Sequence, residues 1–179
     1  MTKQEVQKRV LQNGEMLPLD KFEWDEKTNT FSSNEDSLVL DFKDIDDCTF
    51  KTGSDCIFDT WSNCTFDTGS YCTFDTWSNC TFDTGSYCTF NVEFNCTFKT
   101  EDNCTFDTGS DCTFKTGDRC VVVRRDIYEI IETEKDKKIK LNSWNTKGFT
   151  YVDEENDKEV LSRIKEIKDE LKELKNKIK

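Results

Sequence analysis

Residues 48–119 read CTFKTGSD, CIFDTWSN, CTFDTGSY, CTFDTWSN, CTFDTGSY, CTFNVEFN, CTFKTEDN, CTFDTGSD and CTFKTGDR, an unbroken run of octads. All ten cysteines of the chain, from Cys48 to Cys120, fall on this register at intervals of eight. Self-similarity at a fixed period marks a repeat architecture. Each octad opens with Cys-x-Phe-x. On a strand, alternate side chains share a face, so Cys and Phe point one way and the intervening Thr and Asp or Lys the other. The Thr-Gly-Ser-x tail has turn composition. One strand and one turn cannot bury a face alone, but stacked copies can. The fold expected is mainly β: a β-solenoid of Cys-x-Phe octapeptides.

The register continues outward. Leu40 and Phe42 stand where Cys and Phe would stand one octad earlier; Val122, Tyr128 and Ile130 continue it after Cys120. The solenoid is therefore read over 40–131. Position six alternates Trp61, Gly69, Trp77, Gly85, and position eight alternates Asn63, Tyr71, Asn79, Tyr87. This superperiod favours a sixteen-residue, two-sided coil. It stacks Trp61 on Trp77, Tyr71 on Tyr87, and Asn63 on Asn79 and Asn95, whereas three octads per coil would put Trp over Gly. At a strand spacing of about 4.8 Å, five to six coils make a rod ~25–30 Å long.

With 34% hydrophobic and 35% charged residues, an ordinary globular core would be thin; a narrow column of Phe and Cys needs less. The lone Pro18 precedes the repeat, where it breaks no ladder. The start of the chain lacks the apolar core of a secretory signal, and no stretch reaches the ~20 apolar residues of a membrane span. The expectation is a cytoplasmic protein (host cytoplasm if phage-encoded) with reduced thiols and no membrane partner. Net charge is −12, and residues 40–119 carry 15 acidic against 5 basic groups, so −10 lies on the repeat. Direct nucleic-acid binding calls for the opposite sign.

Residues 1–39 read as an N-terminal cap. Gln4–Leu11 suits a short helix with Val6, Val10 and Leu11 on one side, and a hairpin is expected around Thr28 and Asn29. Residues 132–152 read as a small β element, with Ile139 and Leu141 on one side and Phe149 and Tyr151 on the other. Residues 153–179 read as an amphipathic helix. Val160, Ile164, Ile167, Leu171, Leu174 and Ile178 are spaced 4, 3, 4, 3, 4, a heptad pattern. A self-associating coiled coil is expected, dimer favoured over trimer; the alternative is a helix folded back on its own solenoid.

The chain has no His, which removes the usual general base, the commonest metal ligand and the standard triads. Cysteines eight apart do not match zinc spacing, and an inward column of thiols suits a small core residue better than a nucleophile. No catalytic residue, cofactor or metal is expected. Outward Thr ranks suggest ice binding, but the adjacent rank, from Lys51 through Asp59, Asp67, Asp75, Asp83, Asn91, Lys99 and Asp107 to Lys115, is charged and argues against it. That acidic rank is either a solvated surface or a mimic of nucleic-acid charge. Ten charges over the rod give ~0.4 per Å, against ~0.6 per Å for duplex DNA. Trp61 and Trp77, read as lying beside Tyr71 and Tyr87 on the rim, form a candidate contact cluster or a shield for the core edge. Val92-Glu93-Phe94 interrupts the repeat and is read as a bend or a contact point.

The CTFDTGS octads resemble the octapeptide-repeat solenoid proteins of phages and AT-rich bacterial genomes. By architecture the chain is similar to pentapeptide-repeat proteins, some of which are acidic, dimeric rods that imitate DNA. That analogy implies a binding protein that occupies a nucleic-acid-binding enzyme, as a phage anti-defence inhibitor does. The candidate partner-binding residues are Asp59, Asp67, Asp75, Asp83, Asp107, Trp61, Trp77, Tyr71 and Tyr87. A structural spacer or virion component is the alternative.

Overall fold

The computed structural model describes residues 1–152. The chain opens with helix α1 (Lys3–Gln7), the hairpin β1 (Val10–Gln12) and β2 (Glu15–Met16), and a second hairpin, β3 (Glu23–Asp25) and β4 (Thr30–Ser32). β5 (Leu38–Phe42) leads into the repeat strands. These are β6 (Thr49–Thr52), β7 (Ile57–Thr60), β8 (Thr65–Thr68), β9 (Thr73–Asp75), β10 (Thr81–Thr84), β11 (Thr89–Asn91), β12 (Thr97–Thr100), β13 (Thr105–Thr108), β14 (Thr113–Lys115) and β15 (Val121–Arg124). β16 (Glu129–Glu132), β17 (Lys138–Leu141) and β18 (Phe149–Tyr151) close the far end.

The strands form two nine-stranded sheets. Odd-numbered β5 to β15 stack parallel in sheet I, and even-numbered β4 to β14 stack parallel in sheet II. Within the octads, partners are sixteen residues apart, as in Phe66↔Phe82 and Phe58↔Phe74. Two octads therefore make one coil. Parallel stacking begins at β4, inside the stretch read as a cap, because Phe31 pairs with Phe50 as a Phe of the previous coil would.

The position-one Cys and position-three Phe fill the space between the sheets, and from Cys48 to Cys120 each of these is at most 1% exposed. Phe66 stacks on Phe82 in its own sheet (4.8 Å, 4°) and meets Phe74 of the other sheet edge-on (5.2 Å, 74°). Both geometries are favoured by the ring quadrupole. The cysteines are free thiols. They also reach the turns: Cys56 Sγ lies 3.3 Å from the Ser54 carbonyl, and Cys80 Sγ 3.5 Å from the Trp61 carbonyl of the preceding coil. Hydrogen bonding to neighbouring thiols, reinforced by burial, raises Cys64, Cys72, Cys96 and Cys104 above the ordinary thiol range.

The turns obey rules that composition did not reveal. Glycine does not supply the left-handed residue. Position eight does, at φ +57° to +62° from Asp47 through Arg119, and Asn or Asp, which tolerate that region best, fill most of these sites. Gly69 and Gly85 serve close approach instead: a Cβ there would lie 2.3 Å from Oγ of Ser54 or Ser70 in the coil before. Position seven carries a ladder of its own. The Ser70 N–H donates to Ser54 Oγ (3.2 Å) and the Ser86 N–H to Ser70 Oγ (3.0 Å). The Thr at position five faces inward: Thr60, Thr76, Thr84 and Thr108 are buried.

The ends depart from the octad pattern. α1 spans only Lys3–Gln7, set by a capping box between Thr2 and Glu5, and Val10 and Leu11 belong to β1. The hairpin at Thr28 and Asn29 forms, with Asn29 at φ +49°. After β15 the chain reverses, and β16 pairs antiparallel with it, placing Ile131 opposite Val122. Ile131 is thus the inward residue, while Tyr128 and Ile130, expected inside, are exposed. Ile139 pairs with Tyr151 and Leu141 with Phe149, so all four share one face rather than two. Arg124, fully buried, grips Asp126 through Nη2 (2.6 Å) and Nε (3.1 Å) and donates from Nη1 to the Thr146 carbonyl (2.7 Å). The heptad residues Val160, Ile164, Ile167, Leu171, Leu174 and Ile178 lie outside the described residues.

Candidate functional site

The two-sheet coil gives the rod two flat faces and two edges. Outward positions two and four of each strand make the faces; positions six to eight make the edges. The turn from sheet I to sheet II carries Trp61 and Trp77, and the return turn carries Tyr71 and Tyr87. The aromatic pairs are therefore on opposite edges, not side by side as expected. Each pair does stack: Trp61 on Trp77 at 4.3 Å, and Tyr71 on Tyr87 at 4.9 Å with planes 2° apart. All four rings remain exposed, Trp61 at 39% and Tyr71 at 57%.

The candidate carboxylates divide in the same way. Asp59, Asp75 and Asp107 lie on the face of sheet I with Asp41; Asp67 and Asp83 lie on the face of sheet II. Each set is in register at the strand spacing of about 4.8 Å. Neither is uniformly negative. Lys43 Nζ lies 3.3 Å from Asp41 and 3.9 Å from Asp59, the Asn91 amide donates to Asp75 (3.0 Å), and Arg125 Nε lies 3.0 Å from Asp107. On sheet II Lys99 Nζ lies 2.7 Å from Asp83. Burial raises the Asp59 carboxyl above its ordinary value, and Asp41 and Asp75 push the same way against Lys43.

Other acidic residues serve the turns. The carboxylates of Asp36, Asp46 and Asp102 accept the N–H of Ser54, Ser62 and Asp118 in the next coil (2.6, 2.9 and 2.8 Å). Asp47, Asp55 and Asp111 hold left-handed positions. Part of the charge on the repeat is thus explained by backbone geometry, and the outward strand carboxylates make up most of the remainder.

The break at Val92-Glu93-Phe94 does not bend the rod, because β11 stays paired in register with β9 and β13 across it. Val92 is buried in place of a Thr, while Phe94 replaces a ladder Ser and is 50% exposed on the tryptophan edge. Trp61, Trp77 and Phe94 thus occupy that edge on three successive coils. Below them the Asn95 amide donates to Asn79 Oδ1 (2.8 Å). Thr30, Thr49, Thr65, Thr81, Thr97 and Thr113 form an unbroken rank on sheet II, flanked by the charged rank of Lys51, Asp67, Asp83, Lys99 and Lys115. On sheet I the equivalent rank is broken by Val39 and Ile57.

Beside Tyr71 and Tyr87, an open groove of about 450 Å³ runs along the sheet II side of the same edge. Gly69 and Gly85 lie on its floor. Asp67, Asp83, Glu101 and Thr84 are among the residues lining it. Asp55 and Glu101 carried no signal of their own in the sequence, and Phe94 stood out only as part of the Val92-Glu93-Phe94 interruption, since the edges become visible only once two octads close a coil.

Among the described residues no helix is long and apolar enough to cross a membrane. Comparison with protein-family models, with curated proteins and with solved structures returned no match.

Proposed function

We propose that the chain is a non-enzymatic binding protein, an acidic rod that occupies the basic surface of a partner protein and inhibits it. The partner class that fits is a nucleic-acid-binding enzyme, engaged through charge mimicry, with phage anti-defence as the biological setting. The observation that carries this reading is the in-register rank of outward carboxylates, Asp41, Asp59 and Asp75 on one face and Asp67 and Asp83 on the other. Like charges one strand apart repel, so the ranks stand at some expense to stability, and charge of one sign steers an oppositely charged partner. Self-association through residues 153–179, as a dimer in preference to a trimer, belongs to the same proposal.

The test is capture with the full chain as bait, beside the variant carrying Asp59→Asn, Asp67→Asn, Asp75→Asn and Asp83→Asn. The expected result is recovery of a nuclease or other nucleic-acid-binding protein that duplex DNA competes away and the variant fails to retain. Capture that survives the four substitutions unchanged overturns the reading.

A second reading, a rigid spacer or virion component, draws on the continuous Phe stack from Phe42 to Phe114. Presence of the protein in purified virions favours it.

A further inference from the structure

The tyrosine edge carries more specific chemistry than a uniform negative surface needs. Tyr71 and Tyr87 sit at φ +60° and +59°. A bulky residue held in that region is disfavoured by an amount on the order of 1 kcal/mol; the coils on either side place Asp55 and Asn103 there instead. Both rings are more than half exposed, and they form a stack only two rings deep. The next position along the rank is Asp55 before Tyr71 and Asn103 after Tyr87, so no third ring covers the outer face of either one. Beyond Tyr71 the neighbour in the rank is a carboxylate.

The groove on the same edge adds acceptors. Asp67, Asp83 and Glu101 line it, and Ser70, next in the chain to Tyr71, lines it too. Lys99 lines it as well and pairs with Asp83 at 2.7 Å, so Asp67 and Glu101 are the carboxylates the groove offers to a ligand.

We propose that the tyrosine edge is a binding site for arginine side chains presented by a basic polypeptide segment. One guanidinium stacks on the outer face of Tyr71 with Asp55 as its counter-charge. A second enters the groove between Asp67 and Glu101. The planar guanidinium meets both requirements, since it stacks on an aromatic face and directs several N–H groups at carboxylates; an ammonium is a compact, strongly hydrated charge that does neither as well. The basic character of the partner rests on the function proposed above, but the choice of edge and of arginine over lysine does not.

The experiment measures fluorescence anisotropy of labelled nona-arginine and nona-lysine on the full chain at fixed ionic strength. The key variant is Tyr71→Asn with Tyr87→Asn. It installs a residue that holds this turn elsewhere in the rod, and circular dichroism confirms that the fold is kept. Nona-arginine should bind about tenfold more tightly than nona-lysine, a ratio in the range of cation–π and bidentate gains. The double Tyr variant should lose about tenfold for nona-arginine and under about twofold for nona-lysine. Asp67→Asn with Glu101→Gln should weaken nona-arginine binding further, whereas Asp59→Asn with Asp75→Asn, on the far face, should leave the arginine preference intact. Equal affinity for the two peptides, or a double Tyr variant that binds nona-arginine like the parent, overturns the proposal. Failed capture of a nucleic-acid-binding protein alongside a preserved arginine preference would remove the mimicry reading and leave this site standing.

Discussion

The middle of the rod and its two ends solve the same problem by different means. In the middle, every coil repeats one set of contacts: Phe on Phe, thiol under a turn carbonyl, and Ser or Asp side chain to the next turn amide. No single contact is special, and the same residue type recurs because its environment does. At the ends the translation stops, and each polar group must find a singular partner. Arg9 grips Asp44 (2.6 Å), Trp24 donates to the Met1 carbonyl (2.7 Å), and Arg124 is buried against Asp126. Repetition makes the middle of the rod tolerant of its thin hydrophobic composition; specificity of register comes from the ends.

Two substitutions of comparable size probe the contrast. Phe82→Ala opens a cavity between four neighbouring rings and should destabilise by about 3–5 kcal/mol in denaturant titration, lowering hydrogen-exchange protection on both sides of it along the rod. Arg124→Met leaves the Asp126 carboxylate buried without its partner, also worth about 3–5 kcal/mol. Its loss of protection should concentrate in β15 to β18. Indistinguishable protection maps for the two variants would erase the distinction between middle and end.

Gly85→Ala should have a smaller effect. The added Cβ meets Ser70 Oγ at 2.3 Å and Ser70 N at 3.0 Å, and overpacking of this kind destabilises by about 1–3 kcal/mol. At Gly14 in the N-terminal hairpin the space is open but φ is +83°, so Gly14→Ala acts through backbone strain instead. Adding Ser70→Ala should rescue Gly85→Ala in thermal melts and leave Gly14→Ala unimproved.

The smallest effect is in pH dependence, where middle and end have opposite signs. The Arg9 hydrogen bond lowers the Asp44 carboxyl. Its contribution is complete above the ordinary Asp value and is lost as pH falls through the lower folded value. Asp59 is raised, so its ionised form disfavours the fold; that penalty is present at neutral pH and disappears as pH falls through the raised folded value. Hydrogen exchange across the carboxylate range should show the N-terminal cap loosening in acid while β7 and β9 do not. Asp59→Asn should remove the residual pH response of those two strands.

The interior and the coil length were legible in the sequence because both depend on periodicity, which alternation along a strand converts directly into faces. The stacking of Trp61 on Trp77 and of Tyr71 on Tyr87 followed from the superperiod alone. The separation of those pairs onto opposite edges did not, although it is implied once two octads close a coil. Turn composition located the tail of the octad but not its left-handed residue, because at position eight Tyr and Arg share the site with Asn and Asp. The C-terminal reversal was missed because Tyr128 and Ile130 keep the apolar register of a parallel strand. Antiparallel pairing with β15 turns Ile131 inward in their place. Arg124 carried no signal, since burial of its charge depends on Asp126 and on the carbonyl of Thr146, which the chain brings back from farther along.

The two-octad coil is tested most directly by deletion. Removing residues 72–87 excises one full coil and leaves every later strand in its own sheet. Removing residues 72–79 excises half a coil and transfers each later strand to the opposite sheet, beneath caps built for the other one. Circular dichroism and thermal melting should show the sixteen-residue deletion folding cooperatively, and the eight-residue deletion losing cooperativity at its C-terminal end. Equal stability of the two deletions would contradict the coil described here.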